Sequence, residues 1–136
     1  MAFSRIALVL VGNLFLVAAG FARYGFRHEA ARVFEALFAA STHMDLRRLP
    51  ELFCGFPRRK GTGPVFYPVA CSPQAWATGS MLYMMQICLG LKFEPRENAI
   101  RLHRPILPDF VDGVTVQEQI DDLTGLQSAV VTDPKR

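Results

Sequence analysis

Apolar residues in the first half of the chain recur at helical spacing. Ile6 to Val11 is a continuous apolar run, and after Gly12-Asn13 it resumes from Leu14 to Ala22. This pattern predicts a first helix over Ile6–Arg23, stopped by Gly25, because glycine takes the left-handed conformation that helix ends often need. A second helix is expected over His28–Ala40, where Ala30, Val33, Phe34, Leu37 and Phe38 step by three and four and form one stripe. The short Tyr24-Gly25-Phe26-Arg27 connection makes the pair an antiparallel hairpin. A third helix is expected from Pro73 to Leu89, with Ser72 as N-cap and Gly90 as stop. It is apolar nearly all round, so it should be buried on both faces.

Between the second and third helices runs a Pro- and Gly-rich loop from Ser41 to Cys71. Loops of that length in a compact domain are usually functional. After Gly90 the pattern changes. Ile100 and Leu102 alternate with Arg101 and His103, and Val114 and Val116 flank Thr115, which reads as short strands. The stretch from Glu118 to Leu126 reads equally as a weak helix or as disorder.

Composition narrows the classes. The 136 residues are 51% hydrophobic and carry a net charge of only +3, with no basic run interleaved with aromatics, which argues against nucleic acid despite a pI near 9.0. Cys54, Cys71 and Cys88 are too few and too widely spaced for a zinc site, and their odd number argues against a closed disulfide framework. Reduced thiols in a cytoplasmic protein fit best. The histidines His28, His43 and His103 are scattered, so no metal site is expected. Residues 6–22 leave an anchor or export signal open. However, the run is short for a membrane span of about 20 residues and is interrupted by Gly12-Asn13.

The candidate chemistry lies in the central loop. Arg48-Leu49-Pro50-Glu51-Leu52-Phe53-Cys54-Gly55-Phe56-Pro57-Arg58 and Tyr67-Pro68-Val69-Ala70-Cys71-Ser72-Pro73-Gln74-Ala75-Trp76 gather a carboxylate, aromatics and basic residues. These two blocks resemble the C-terminal part of the bacterial amylo-α-1,6-glucosidase family, the glycogen debranching enzyme-like glycoside hydrolases. The likeness runs from about Asn13 to Val116. It implies a mainly α fold: a partial (α/α)6 toroid, made of a helical hairpin plus one long buried helix, with a short C-terminal β segment. The divisions expected are a toroid fragment over 1–91, a β segment over 92–116 and a divergent tail over 117–136 that reads equally as weak helix or disorder.

By the same resemblance Glu51 is the general base of a reaction that needs two carboxyl groups bracketing the scissile bond. Phe53, Tyr67 and Trp76 would stack on a pyranose ring. Gln74 would hold a ligand oxygen in the first helical turn, and Arg58 would orient Glu51 or bind a sugar hydroxyl. No metal or organic cofactor is implied. The implied partners are an α-glucan or oligosaccharide and a second polypeptide completing the toroid. The family's general acid lies in an upstream segment, and a Trp-Pro-His-Asp-like block is replaced here by Leu10-Val11-Gly12, so a fragment inactive by itself is expected. The competing readings are a non-enzymatic interaction or carbohydrate-binding remnant, and a small anchored or exported protein.

Overall fold

The computed structural model describes residues 8–57, 59–94, 96, 99–119 and 126–132. It is partly helical with small antiparallel strand pairs. Three α-helices form the body: α1 (Val11–Arg23), α2 (Arg27–Ser41) and α3 (Ala75–Leu89). Helices α1 and α2 form the expected hairpin. Gly25 supplies its turn at φ 91, and the Phe26 N–H donates to the Phe21 carbonyl at 2.8 Å. Helix α3 packs against both.

The core is two adjoining clusters. Phe15, Ala18, Ala30, Ala31, Phe34, Met84 and Cys88 fill the space between the three helices. Val11, Leu37, Met44, Leu49, Phe53 and Ala77 close one end of it. Val11, Leu49 and Met84 are wholly buried, and each burial of that kind contributes about 1.5–3 kcal/mol. The stripe of α2 is as its spacing predicts, with Ala30, Phe34 and Leu37 buried. Phe38 instead stacks on Phe110, with ring centroids 4.5 Å apart. The 105–111 segment is thereby held on α2. It is held further by Asp109 N–H donating to Glu35 Oε1 at 2.9 Å and Ile106 N–H donating to the Cys88 carbonyl at 2.8 Å.

The first helix starts later than its apolar run suggests. Leu8–Leu10 is a strand, β1, which pairs antiparallel with β2 (Leu52–Cys54), and β2 pairs with β3 (Val65–Phe66). Residues 6 and 7 lie outside the described residues. A short apolar run satisfies strand and buried helix alike, and here the backbone groups of β2 decide for strand. The long loop is correspondingly not structureless. It holds β2, β3 and a 3₁₀ turn at Asp45–Arg47, where Leu46 and Arg47 take positive φ.

Helix α3 also differs from expectation. Ser72 does not cap it and Pro73 is not in its first turn. Gln74 occupies the cap position in extended conformation, without a side-chain cap bond, because its N–H donates to the Leu49 carbonyl at 3.0 Å. Nor is α3 buried on both faces. Ala77, Ser80, Met84 and Cys88 face the core, while Trp76, Leu82, Tyr83 and Met85 are exposed.

Beyond Gly90 the chain forms two hairpins. Strands β4 (Leu91–Glu94) and β5 (Ala99–Leu102) pair antiparallel, as do β6 (Gly113–Gln119) and β7 (Leu126–Thr132). Residues 117–119 and 126–132 are thus strand. The remainder of the 117–136 tail, including most of the stretch read as helix or disorder, lies outside the described residues. Among the described residues no helix is long and apolar enough to cross a membrane.

Candidate functional site

Glu51 stands at the entry to β2, and the main chain there is a junction. Its carbonyl accepts from Val11 N–H at 3.0 Å, and its N–H donates to the Cys71 carbonyl at 2.9 Å. Its Oε2 accepts from Cys71 N–H at 3.3 Å. Glu51 therefore ties three segments together: the start of α1, the start of β2 and the loop before α3.

The other expected site residues lie in different surroundings. Phe53 is buried in the core with its edge against Phe66 and has no open face for a ligand. Trp76 is exposed on the first turn of α3, 5.1 Å from Phe15 in an edge-on contact. Tyr67 is half-buried in the loop, and Gln74 is fixed by its main-chain bond to Leu49. Arg58 lies outside the described residues. Glu51, Phe53, Tyr67, Gln74 and Trp76 line neither of the cavities described for this molecule. No group of three metal-ligating side chains occurs among the described residues.

Another set of residues lines a single cleft. The α1–α2 turn, the C-terminal end of α3 and the facing ends of β4 and β5 enclose a cleft of about 560 Å³. Arg23, Arg27, Lys92, His103 and Arg104 line it, with Tyr83 and Gln86, and among the described residues no carboxylate is in the lining. Four of the chain's 15 lysines and arginines line it, which makes the local charge positive.

The cleft's geometry follows from two residues. Gly90 ends α3 in the left-handed conformation, φ 62, and its carbonyl accepts from His103 N–H at 2.9 Å, which brings β5 back over the helix end. Arg27 donates from Nη2 to the carbonyls of Ile87 and Cys88, both at 3.3 Å. Those carbonyls belong to a helix C-terminus, the negative end of its dipole, where a cation is favoured. The Arg27 Nε–H is buried and finds no partner among the described residues. Arg104 sits at φ 47, a region that non-glycine residues enter rarely. Sequence reading missed this cleft because its cations come from three separate segments. The spacing of Arg23 and Arg27 across the hairpin turn was the one local signal.

Below the cleft, burial pushes the Cys88 thiol up to about 11, opposed by the Arg27 charge and reinforced by Glu35. The group stays a protonated thiol in the core.

The chain is similar to known proteins over short stretches. Over 33 residues, 24% of this chain, it is 64% identical to the DNA-directed RNA polymerase β′ subunit of Methylococcus capsulatus. Over 28 residues, 21% of the chain, it is 71% identical to the β′ subunits of Xanthomonas euvesicatoria pv. vesicatoria and Xanthomonas campestris pv. campestris. The chain spans about 2% of the length of these relatives. No protein-family model matches it.

These findings overturn the glycosidase reading. The similarities are to a polymerase subunit and none points to a glycoside hydrolase. The α-glucosidase activity, the α-glucan partner and the second polypeptide completing a toroid are withdrawn with it, as is the ground for calling Glu51 a general base. The exclusion of nucleic acid is withdrawn too. It rested on net charge and on the lack of a basic run interleaved with aromatics, and neither registers cations brought together from separate segments.

Proposed function

We propose that the chain is a binding module for the phosphate backbone of single-stranded nucleic acid, held in the basic cleft. The observation that carries this reading is the convergence of Arg23, Arg27, Lys92, His103 and Arg104 around one concavity without a lining carboxylate. Among the described residues no carboxylate lines the cleft to neutralise that cluster, which suits an anion. The short likeness to RNA polymerase β′ subunits supports a nucleic-acid context. Tyr83 in the cleft wall and Tyr24, 80% exposed beside Arg23, supply faces on which unpaired bases stack. The reading carries with it a cytoplasmic location. It needs no toroid, and we propose no ring.

The test is fluorescence anisotropy with a labelled single-stranded oligonucleotide across a salt series. With the exposed cations Arg23, Lys92 and Arg104 engaged, log affinity should fall against log salt with a slope of about −2, roughly twentyfold between about 50 and 200 mM. The double variant Lys92→Glu/Arg104→Glu, both exposed positions, should weaken binding by at least about tenfold at low salt with the circular dichroism spectrum unchanged. Absence of binding at low salt, or undiminished binding by the charge-reversed variant, defeats the reading.

A further inference from the structure

A second cavity, of about 690 Å³, lies on the opposite side of the hairpin from the basic cleft's turn, between the last turns of α2 and the loop that leads into β3. Its floor is Ala36, Ala39 and Ala40, and its facing wall is Phe56, Pro57, Pro64 and Val65. The floor is low because alanine side chains stop at Cβ, and the wall stands close because Gly63 has no Cβ. A Cβ there would come within 2.8 Å of the His43 ring. The cavity is therefore bounded by a helix and a loop locked against His43, and its volume is in the range of small-molecule sites.

The polar groups are few. Arg59, His43 and Thr62 line the cavity, and among the described residues no carboxylate does. The Thr62 hydroxyl is engaged, donating to the Arg59 carbonyl at 3.1 Å. The guanidinium of Arg59 and the imidazole of His43 remain as the groups that would fix a ligand.

One effect opposes an anion here. The cavity lies beside the C-terminus of α2, which carries roughly half a negative charge. That charge is spoken for. The Phe38 carbonyl accepts from Ser41 Oγ at 2.7 Å, Ala39 from Thr42 Oγ1 at 2.7 Å, Ala40 from His43 N–H at 3.1 Å and Ser41 from Met44 N–H at 3.0 Å. The Thr42 carbonyl accepts from the Arg47 guanidinium, which places a full positive charge at the helix end. With the dipole offset by Arg47, Arg59 sets the sign of the site.

We propose that this cavity binds a small amphipathic carboxylate, with its apolar body between Ala39 and Val65 and its acid on Arg59 and His43. A planar guanidinium matches a carboxylate through two parallel bonds, which a neutral hydroxyl cannot reproduce. The proposal is independent of the basic cleft.

The experiment is a ¹H–¹⁵N NMR titration of the full chain with 2-naphthoate and, separately, with its neutral counterpart 2-naphthylmethanol. Naphthoate should shift the amides of Ala39, Ala40, His43 and Gly63, and should bind about tenfold more tightly than the alcohol. Arg59→Gln should weaken naphthoate about tenfold and leave the alcohol unchanged. Ala36→Leu, at an exposed helix position, should fill the cavity and abolish binding of both. Phe56→Ala, in an exposed loop, should weaken both in parallel and covers the case in which the leucine variant fails to fold. Equal affinity for acid and alcohol overturns the proposal. So do shifts confined to the exposed face of α3 at Trp76, Leu82 and Met85, and undiminished binding by the cavity variants.

Discussion

Trp76 lies where a side chain on Gly12 would stand. A Cβ added to Gly12 would collide with the indole Nε1 and Cδ1, because the first turns of α1 and α3 meet here and the indole covers the glycine. The ring is also set edge-on to Phe15, at 62° between planes. Two effects compete in Gly12→Ala. Helix propensity favours alanine by up to about 1 kcal/mol, less in a first turn. Displacing the indole costs about 1–3 kcal/mol, at the lower end because Trp76 is half exposed and can swing outward. The variant should be less stable by about 1 kcal/mol in urea unfolding. In a Trp76→Ala background the same substitution should become neutral or stabilising. A double-mutant cycle without that change of sign would show that the indole is not what excludes a side chain.

Gly25 and Gly90 both take positive φ, at 91 and 62, but alanine should be tolerated very differently at the two. Nothing stands within 4 Å of a Cβ on Gly25, so only the conformational cost applies, about 1–2 kcal/mol. A Cβ on Gly90 would run into the main-chain carbonyl of His103, which cannot turn aside as a side chain could. Gly90→Ala should therefore cost clearly more than Gly25→Ala and should loosen β5 from the end of α3. Equal midpoints for the two variants in urea would contradict the close approach of His103.

Arg27 should matter to stability before it matters to any ligand. It holds two carbonyls at the C-terminus of α3 from the first position of α2, linking elements 60 residues apart. Hydrogen bonds from a charged donor contribute about 1.5–3 kcal/mol. Arg27→Ala should destabilise by about that amount, and Arg27→Lys should recover part of it, since an ammonium can reach one carbonyl but lacks the planar fork. Lys92→Ala and Arg104→Ala, whose side chains are exposed, should change stability by no more than about 0.5 kcal/mol. A drop of similar size in all three variants would mean that Arg27 is only one more surface cation.

The hairpin was legible because its signals are local. The stripe on α2 repeats at helical spacing, the turn carries Gly25, and both act over a few residues. The end of α3 at Gly90 was legible for the same reason. What the sequence hid depends on distant partners. Leu8–Leu10 is a strand only because Leu52–Cys54 lies beside it, and its own residues suit a helix as well. Gln74, not Ser72, precedes α3 because the Leu49 carbonyl fixes its backbone. Phe53 and Trp76 look alike as candidate stacking faces, yet one is core and the other surface, a distinction set by packing. The cleft is the extreme case, since Arg23 and Arg104 are separated by most of the chain. The glycosidase resemblance led the functional reading astray, since the similarities found are to a polymerase subunit; the polar groups of Glu51 bond the backbones of Val11 and Cys71.

The three thiols should separate cleanly by reactivity, and Cys88 should leave a signature in alkaline stability. Cys71 is exposed, Cys54 is half-buried with its Sγ 3.6 Å from the Phe66 carbonyl, and Cys88 is buried between α2 and α3. Since the thiolate is the reactive form, a dithiobis reagent near pH 8 should modify Cys71 first, Cys54 more slowly and Cys88 only on unfolding. The raised pKa of Cys88, from 9.0 to about 11, has a definite sign in linkage. An unfolded chain gives up this proton near pH 9, while the folded chain keeps it. Between these values the unfolded state binds fewer protons, so stability falls as pH rises and is unaffected below pH 9. The loss by pH 11 should be on the order of 2–3 kcal/mol. The tyrosines and lysines titrate in the same window, so the measurement is a comparison. Urea midpoints should fall more steeply from pH 9 to 11 in the parent chain than in Cys88→Ala, which has no thiol to ionise. Parallel pH profiles in the two proteins, or fast labelling of Cys88 in the folded state, would place that thiol in contact with water and not in the core.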